Sequence, residues 1–193
     1  VIIHFITGNE HKYREASSVL SRYGIGVVME RGLRKIEIQS ENIEDIVKYS
    51  LSLVCNGAGR YLVVEDDGLF IKALGGFPGP YSAYVYKTIG LKGILKLMEG
   101  INDREAYFKS IVGLCTPDGE IHLFTGTVDG EISREIRGSE GFGYDPIFIP
   151  KGFNKTFAEL GLEIKNAISH RARAFMALGE WLLRLKGANS ADE

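Results

Sequence analysis

The sequence predicts an α/β domain with an antiparallel meander set into it. Residues 1–6 form a short apolar run closed by Thr7-Gly8-Asn9, and helical apolar spacing follows, so the chain opens as strand, helix, strand. Residues 107–136 change to strand-like segments separated by Pro117-Asp118-Gly119 and Asp129-Gly130, and Asp-Gly between strands signals a hairpin. A long segment with one apolar face closes the chain.

The elements follow in order. Residues 1–6 read as a buried strand. Asn9 suits a helix N-cap, with Ala16, Val19, Leu20 and Tyr23 at helical spacing and Gly24 and Gly26 as the stop. Residues 27–29 return to strand, and a helical connection makes the pair parallel. Residues 36–38 look extended. Glu41-Asn42 introduces a second helix, to about Cys55, with Ile43, Ile46, Val47, Leu51 and Val54 on one face. Residues 61–64 form the next strand and end in Glu65-Asp66-Asp67-Gly68. A turn-rich loop over 73–81 precedes a helical stretch, 82–98, interrupted near Gly90. Strands over 107–115, 121–128 and 131–136 make the meander. A loop over 137–146 leads to a strand at 147–149. The last helix covers about 163–186, with Ile168, Ala172, Phe175, Leu178, Leu182 and Leu185 on its apolar face. Residues 1–186 are expected to form a single domain, and residues 187–193 a frayed tail.

Composition narrows the function. With 193 residues, 45% hydrophobic and 25% charged, the chain is neither disordered, collagen-like nor a coiled coil. Twenty-three basic and 25 acidic residues leave a net charge of -2, which argues against a nucleic-acid partner. No apolar run approaches the roughly 20 residues of a membrane span, and the opening is too short for a signal segment. Cys55 and Cys115 form no CxxC, so a reduced cytosolic protein with buried structural thiols is expected. His4 and His122 lie in strand patterns without ligand-spaced partners and read as structural.

Four clusters carry chemistry. Thr7, Gly8, Asn9, Glu10, His11 and Lys12 sit where a strand hands over to a helix, a place where free N–H groups attract phosphate and Lys12 adds charge; an ordinary capped turn is the alternative. There Lys12 and Glu15 read as an i,i+3 surface pair. Glu65, Asp66 and Asp67 at the end of a buried strand repel one another unless a cation sits among them. Alternation puts Glu65 and Asp67 on one side and Asp66 on the other, and such oxygens suit Mg²⁺; a solvated turn is the alternative. Lys165, Asn166, Ser169, His170 and Arg171 make a basic start to the last helix, against the helix-dipole preference. Surface decoration is the alternative there. Phe142, Gly143, Tyr144 and Asp145 offer aromatics to stack on a base and a carboxylate to accept from it, or a loop tucked into the core.

Together these segments resemble the inosine triphosphate pyrophosphatase (Ham1-like) family. The matching stretches are TGNEHKYRE (7–15), IEIQ (36–39), VVEDDGLFIKALGGFPGPYS (63–82), GFGYDPIF (141–148), TFAEL (156–160) and KNAISHRARA (165–174). The resemblance implies an elongated two-lobed α/β fold, a twisted mixed sheet with flanking helices, and a nucleotide cleft. It implies a cytoplasmic homodimer hydrolysing ITP, dITP and XTP to monophosphate and pyrophosphate with Mg²⁺. Thr7 to Lys12 would hold the triphosphate, Glu37 and Asp66 the metal, and Asp66 would be the catalytic base. Asp67 and Gly68 would follow in the same substrate-facing turn. Phe142 to Asp145 would embrace the base. Lys165, His170 and Arg171 would complete the contacts, with Ser169 in support. Tyr144 stands where other members can have tryptophan, and Lys48 is the nearest match to a second-helix lysine of many relatives. His170 and Arg171 as donors would favour a 6-oxo purine. The competing expectations are a Maf-type pyrophosphatase and a non-catalytic nucleotide- or RNA-binding module.

Overall fold

The computed structural model describes residues 1–57 and 59–191. Strand β1 (Ile2–Ile6) leads through helix α1 (Glu10–Ser21) to strand β2 (Gly26–Glu30), which pairs with β1 in parallel. Asn9 caps α1 as expected: its side-chain oxygen accepts from the His11 and Lys12 N–H groups at 3.0 and 3.2 Å. An irregular stretch over 31–42 follows, so residues 36–38 are not strand. Helix α2 (Ile43–Ser52) then precedes strand β3 (Tyr61–Ile71).

Strand β3 departs most from expectation. Its parallel pairing with β1 covers Tyr61 to Val63 only, and the strand then runs on past the end of β1. Residues 65–68, expected as a strand-end turn, lie inside the strand. Pairing with strand β5 (Glu105–Cys115) continues through them, Glu65 opposite Val112 and Gly68 opposite Lys109. Buried apolar residues on both flanks, Val63 and Val64 before and Leu69 and Ile71 after, hold this acidic stretch extended. Strand β4 (Pro78–Gly79) adds to β3, and its Gly79 carbonyl lies where a Cβ of residue 68 would be. Gly68 is therefore a close-approach glycine rather than a turn glycine.

Helices α3 (Ser82–Thr88) and α4 (Gly90–Leu97) are separate, broken where the sequence places Gly90. Strand β6 (Ile121–Ile132) forms the hairpin expected at Pro117-Asp118-Gly119 but runs straight through Asp129-Gly130. Gly130 is there because strand β7 (Phe148–Pro150) crosses it: a Cβ would meet the Ile149 carbonyl and the Phe148 ring. Residues 145–147 are a 3₁₀ turn that leads into β7. After α5 (Phe157–Leu160), the expected single last helix is two. Helix α6 (Leu162–Ile168) ends at Ser169, whose extended backbone and hydroxyl, accepting from the Ala172 N–H at 3.0 Å, start helix α7 (His170–Ala191). Helix α7 continues through residues 187–191, where a frayed tail is expected from composition; residues 192 and 193 lie outside the described residues.

The sheet order is β2-β1-β3-β5-β6-β7, with β4 on β3. Because β1 lies between its two parallel neighbours, the crossover helices take opposite faces. On one face α1 and α7 enclose Ile3, Phe5, Val19, Leu20, Phe175 and Leu178. On the other, α2 covers Ile6, Val47, Leu51, Leu62 and Val64. Farther along β3, β5 and β6, on the α1/α7 face, a third cluster gathers Leu69, Ile71, Val85, Ile94, Phe108 and Phe148. Glu65 and Asp67 fall between the first cluster and the third.

Cys55 and Cys115 are joined in a disulfide, with Cα atoms 5.6 Å apart, which corrects the expectation of free buried thiols. Helix α2 packs against β5 and brings its trailing Cys55 to the end of that strand, a proximity hidden by 60 residues of separation. Among the described residues no helix is long and apolar enough to cross a membrane.

Helix α7 lies so close to β6 that a Cβ on Gly126 would run into the His170 carbonyl and the Ala174 N–H. Gly126→Ala is expected to cost about 1–3 kcal/mol of stability through overpacking. Chemical denaturation measures this, and an unchanged midpoint would show that α7 can stand off from the sheet.

Candidate active site

Where β3 outruns β1, a cavity of about 590 Å³ opens between the first and third hydrophobic clusters. A larger recess of about 810 Å³ lies along Phe70, Tyr107 and Phe153, but its only ion pairs among the described residues are those of exposed Lys72. The buried charges converge on the smaller cavity.

One face of β3 presents Glu65 and Asp67 to α1 and α7. Lys12 from α1 lies 2.8 Å from Asp67 Oδ1 and 3.1 Å from Glu65 Oε2. Arg171, 1% exposed, is shared by three carboxylates: Glu15 at 2.5 Å, Asp67 at 3.0 Å and Glu65 at 3.3 Å. Ser110 donates to Glu65 Oε1 at 2.9 Å. Lys165, 2% exposed, reaches Glu15 at 2.5 Å and Asp145 at 2.7 Å. Burial works against ionisation of Glu15, Glu65 and Asp67, yet the cations hold all three below the usual carboxylate range, Asp67 well below it. Lys12 is likewise held above its usual value by Asp67 and Glu65 despite burial. Four carboxylates, with Asp145, thus face three cations.

His170 is kept neutral mainly by burial, against the pull of its Asp67 hydrogen bond. Since Asp67 is an ionised acceptor, Nε2–H donates to Asp67 Oδ2 at 3.2 Å. That leaves Nδ1, buried without a partner, as an acceptor and not the expected donor. The Arg171 Nε and Nη2 groups are close to carboxylates but have no aligned hydrogen bond, so donors remain in the same pocket.

The opposite face of β3 carries Asp66. Burial raises it to about 6, above the ordinary 3.8, with Lys35 opposing the rise. Lys35 lies 3.6 Å from Asp66 Oδ1 and 2.6 Å from Glu37 Oε1, while Asp66 Oδ2 is buried with no hydrogen-bond partner. No group of three or more metal-type ligands assembles among the described residues. A hard cation that takes one or two carboxylates and completes its shell with water and phosphates nevertheless fits Glu37 and the orphaned Oδ2 of Asp66.

Of the residues singled out from sequence, Asn9, Lys12, Glu37, Asp66, Asp67, Phe142, Gly143, Tyr144, Asp145, Lys165, His170 and Arg171 line the cavity. Thr7, Gly8, Glu10, His11 and Ser169 do not. The Thr7 hydroxyl accepts from the Asn9 N–H at 3.0 Å, Glu10 pairs with exposed Arg31, and Ser169 is a helix cap. His11 stacks on Phe142 at 4.8 Å, closing the cavity from the α1 side. Phe142 also lies under Lys165, 4.5 Å from its ring centre. Asp145 Oδ2 accepts from the Phe142 N–H and the Lys165 ammonium, so it fixes the loop. Tyr144 is a core residue whose hydroxyl donates to the Ser82 carbonyl at 2.7 Å. Lys48 is exposed and outside the cavity lining.

The Ham1 family profile matches residues 3–181. The chain belongs to the Ham1 family. A dITP/XTP pyrophosphatase of Methanopyrus kandleri is 54% identical over 178 residues, 92% of this chain and 94% of that protein. One from Pyrococcus horikoshii is 52% identical over 180 residues, 93% and 96% of the two chains. Among solved structures, the Staphylococcus aureus Ham1 protein superposes with a TM-score of 0.81 at 29% identity, covering 94% of this chain and 98% of its own.

Two members of the constellation escape the sequence reading. Glu15 is buried and pairs with Arg171 and Lys165 rather than with Lys12; the available signal was a carboxylate beside Ala16, Val19 and Leu20 on the apolar stripe of α1. Lys35 had no signal, because nothing local to 31–42 says which strand the loop meets.

These charges set the acid stability of the metal-free protein. Glu15 and Glu65 lie below 4.5 and Asp67 well below 3.8, so their contribution is complete above those values and is lost as pH falls through the lower folded ones. His170, held below 6.5, also favours the fold at higher pH, whereas Asp66, raised to about 6, favours it as pH falls from there towards 3.8. The last two oppose each other, so the main loss of melting temperature in EDTA should come below 4.5, where the three lowered carboxylates begin to protonate. A level curve continuing well below 3.8 would contradict the ion-paired network.

Proposed function

We propose that this chain hydrolyses the non-standard purine triphosphates dITP, ITP and XTP between the α- and β-phosphates, giving monophosphate and pyrophosphate with Mg²⁺. The division of charge across β3 carries the proposal: a buried network of four carboxylates and three cations on one face and, on the other, Asp66 with an unpartnered oxygen beside Glu37. Support comes from relatives above 50% identity that are named dITP/XTP pyrophosphatases.

Four carboxylates against three cations on one face, and two against one on the other, leave no surplus positive charge for a polyphosphate. Mg²⁺ held by Glu37 and Asp66 would neutralise phosphate charge and polarise the attacking water. Asp66, at the cavity wall, would take the proton from the attacking water. The water oxygen bonds to the α-phosphorus, and the bond from that phosphorus to the bridging oxygen breaks, releasing pyrophosphate. Lys12, in the cavity lining and held by Asp67 and Glu65, is placed to orient the phosphates. Donors from Arg171 and the acceptor His170 Nδ1 match the adjacent C=O and N–H of a 6-oxo purine. Adenine reverses this pattern and would leave buried groups unpaired, a penalty of about 1–3 kcal/mol. The same family reading carries a homodimer, for which exposed Tyr84, Tyr81 and Phe77 around α3 offer an apolar surface.

Pyrophosphate release from dITP, ITP, XTP and ATP, with Mg²⁺ or with EDTA, is the direct test. The first three should exceed ATP by about tenfold to a hundredfold in kcat/KM and cease in EDTA. Asp66→Asn should lower kcat by about a hundredfold or more with the protein still folded, and an active, metal-independent variant would remove Asp66 from the chemistry. Lys12→Ala should raise KM for triphosphates much more than for monophosphates; equal effects would show that Lys12 does not hold the polyphosphate.

A further inference from the structure

We propose that Lys35 is a built-in counter-cation of the Glu37–Asp66 pair, and that a divalent cation enters this pair by exchange with the Lys35 ammonium. The inference rests on the metal reading of that pair. Lys35 Nζ lies 2.6 Å from Glu37 Oε1 and 3.6 Å from Asp66 Oδ1, and it donates to the Glu65 carbonyl at 2.8 Å. Two carboxylates and a carbonyl, all hard oxygens, converge on one cation. This is the donor type that Mg²⁺ or Mn²⁺ takes, so ammonium and metal compete for one set of ligands.

No other cation contacts Asp66 on this face among the described residues. Lys12 is bound by Asp67 and Glu65 on the opposite face, and Lys109 is held by Glu44 at 2.6 Å. The ammonium leaves Asp66 Oδ2 without a partner, so the carboxylate is only half satisfied and keeps an oxygen for an incoming ion. Lys35 stands on the irregular 31–42 stretch, at the end of a flexible four-carbon stem, and can withdraw without breaking a helix or a strand. A divalent ion admitted beside the resident ammonium would be repelled by it, whereas exchange changes the pair from one negative charge to zero. The free protein therefore binds metal weakly, and the phosphates of an arriving nucleotide tip the exchange by supplying further oxygens and taking up the displaced ammonium.

The test is Mn²⁺ binding to the nucleotide-free protein, read from the electron paramagnetic resonance signal of unbound Mn²⁺, for wild type, Lys35→Gln, Lys35→Arg and Asp66→Asn. Lys35→Gln should bind Mn²⁺ about tenfold tighter or more, and Lys35→Arg, which keeps the charge, should stay within about threefold of wild type. In EDTA Lys35→Gln should melt below wild type, because two carboxylates lose their partner, and Mn²⁺ should raise its melting temperature by more. Equal or weaker Mn²⁺ binding by Lys35→Gln, including no binding by either protein, overturns the exchange. The metal reading fails separately, if Asp66→Asn binds Mn²⁺ as wild type does or if turnover proceeds in EDTA.

Discussion

Arg171 is a guanidinium removed from water, and it can be so only because carboxylates from two other elements surround it. Glu15 comes from α1, Glu65 and Asp67 from β3, and Arg171 itself from the first turn of α7. Desolvating an ion costs several kcal/mol unless its partners are in place, and removing one partner of such a cluster typically costs about 3–5 kcal/mol. The requirement binds three distant stretches of chain to one geometry. Lys165 and Lys12 extend the cluster at its two ends, so the cavity wall is held by charge where the hydrophobic clusters leave off.

Strand β3 makes this arrangement tolerable. Three successive carboxylates on one surface would repel one another, but alternation sends Glu65 and Asp67 to the α1/α7 face and Asp66 to the other. The two sets then meet different cations: Lys12 and Arg171 on one side, Lys35 on the other. The strand stays extended through its acidic segment because β5 pairs with it along the whole length. On the β1 side it is unpaired from Val64 to Gly68, between the end of β1 at Ile6 and the short strand β4. A difference of a few residues in strand length creates the cavity.

The misread elements share a cause. Asp129-Gly130 and Gly68 look like turns because glycine beside a carboxylate is locally a turn signal, yet both glycines answer to a neighbour from elsewhere: the Ile149 carbonyl in one case, the Gly79 carbonyl in the other. The break at Ser169 was hidden by apolar periodicity running through it, although serine is a common cap. The basic start of α7 conflicts with the helix dipole only when α7 is viewed alone. Beside Glu15, Glu65 and Asp67 the conflict disappears, and Lys165 falls in the last turn of α6, where a cation is favoured.

Local pattern alone settled the parallel opening, the cap at Asn9, the break near Gly90, the 117–119 hairpin and the facing of the three acidic residues, since each depends on dihedral preference or on a period of a few residues. Most of the cavity's lining was also legible, because its motifs resemble one family in kind and order. The pairings were not. That Glu15 holds Arg171, that Lys35 rests on Asp66, that Cys55 meets Cys115 and that Ser169 ends one helix and starts another are facts of tertiary approach. Charge attraction and packing act through space between residues that the chain separates by tens of positions, so only the folded chain decides which partners meet.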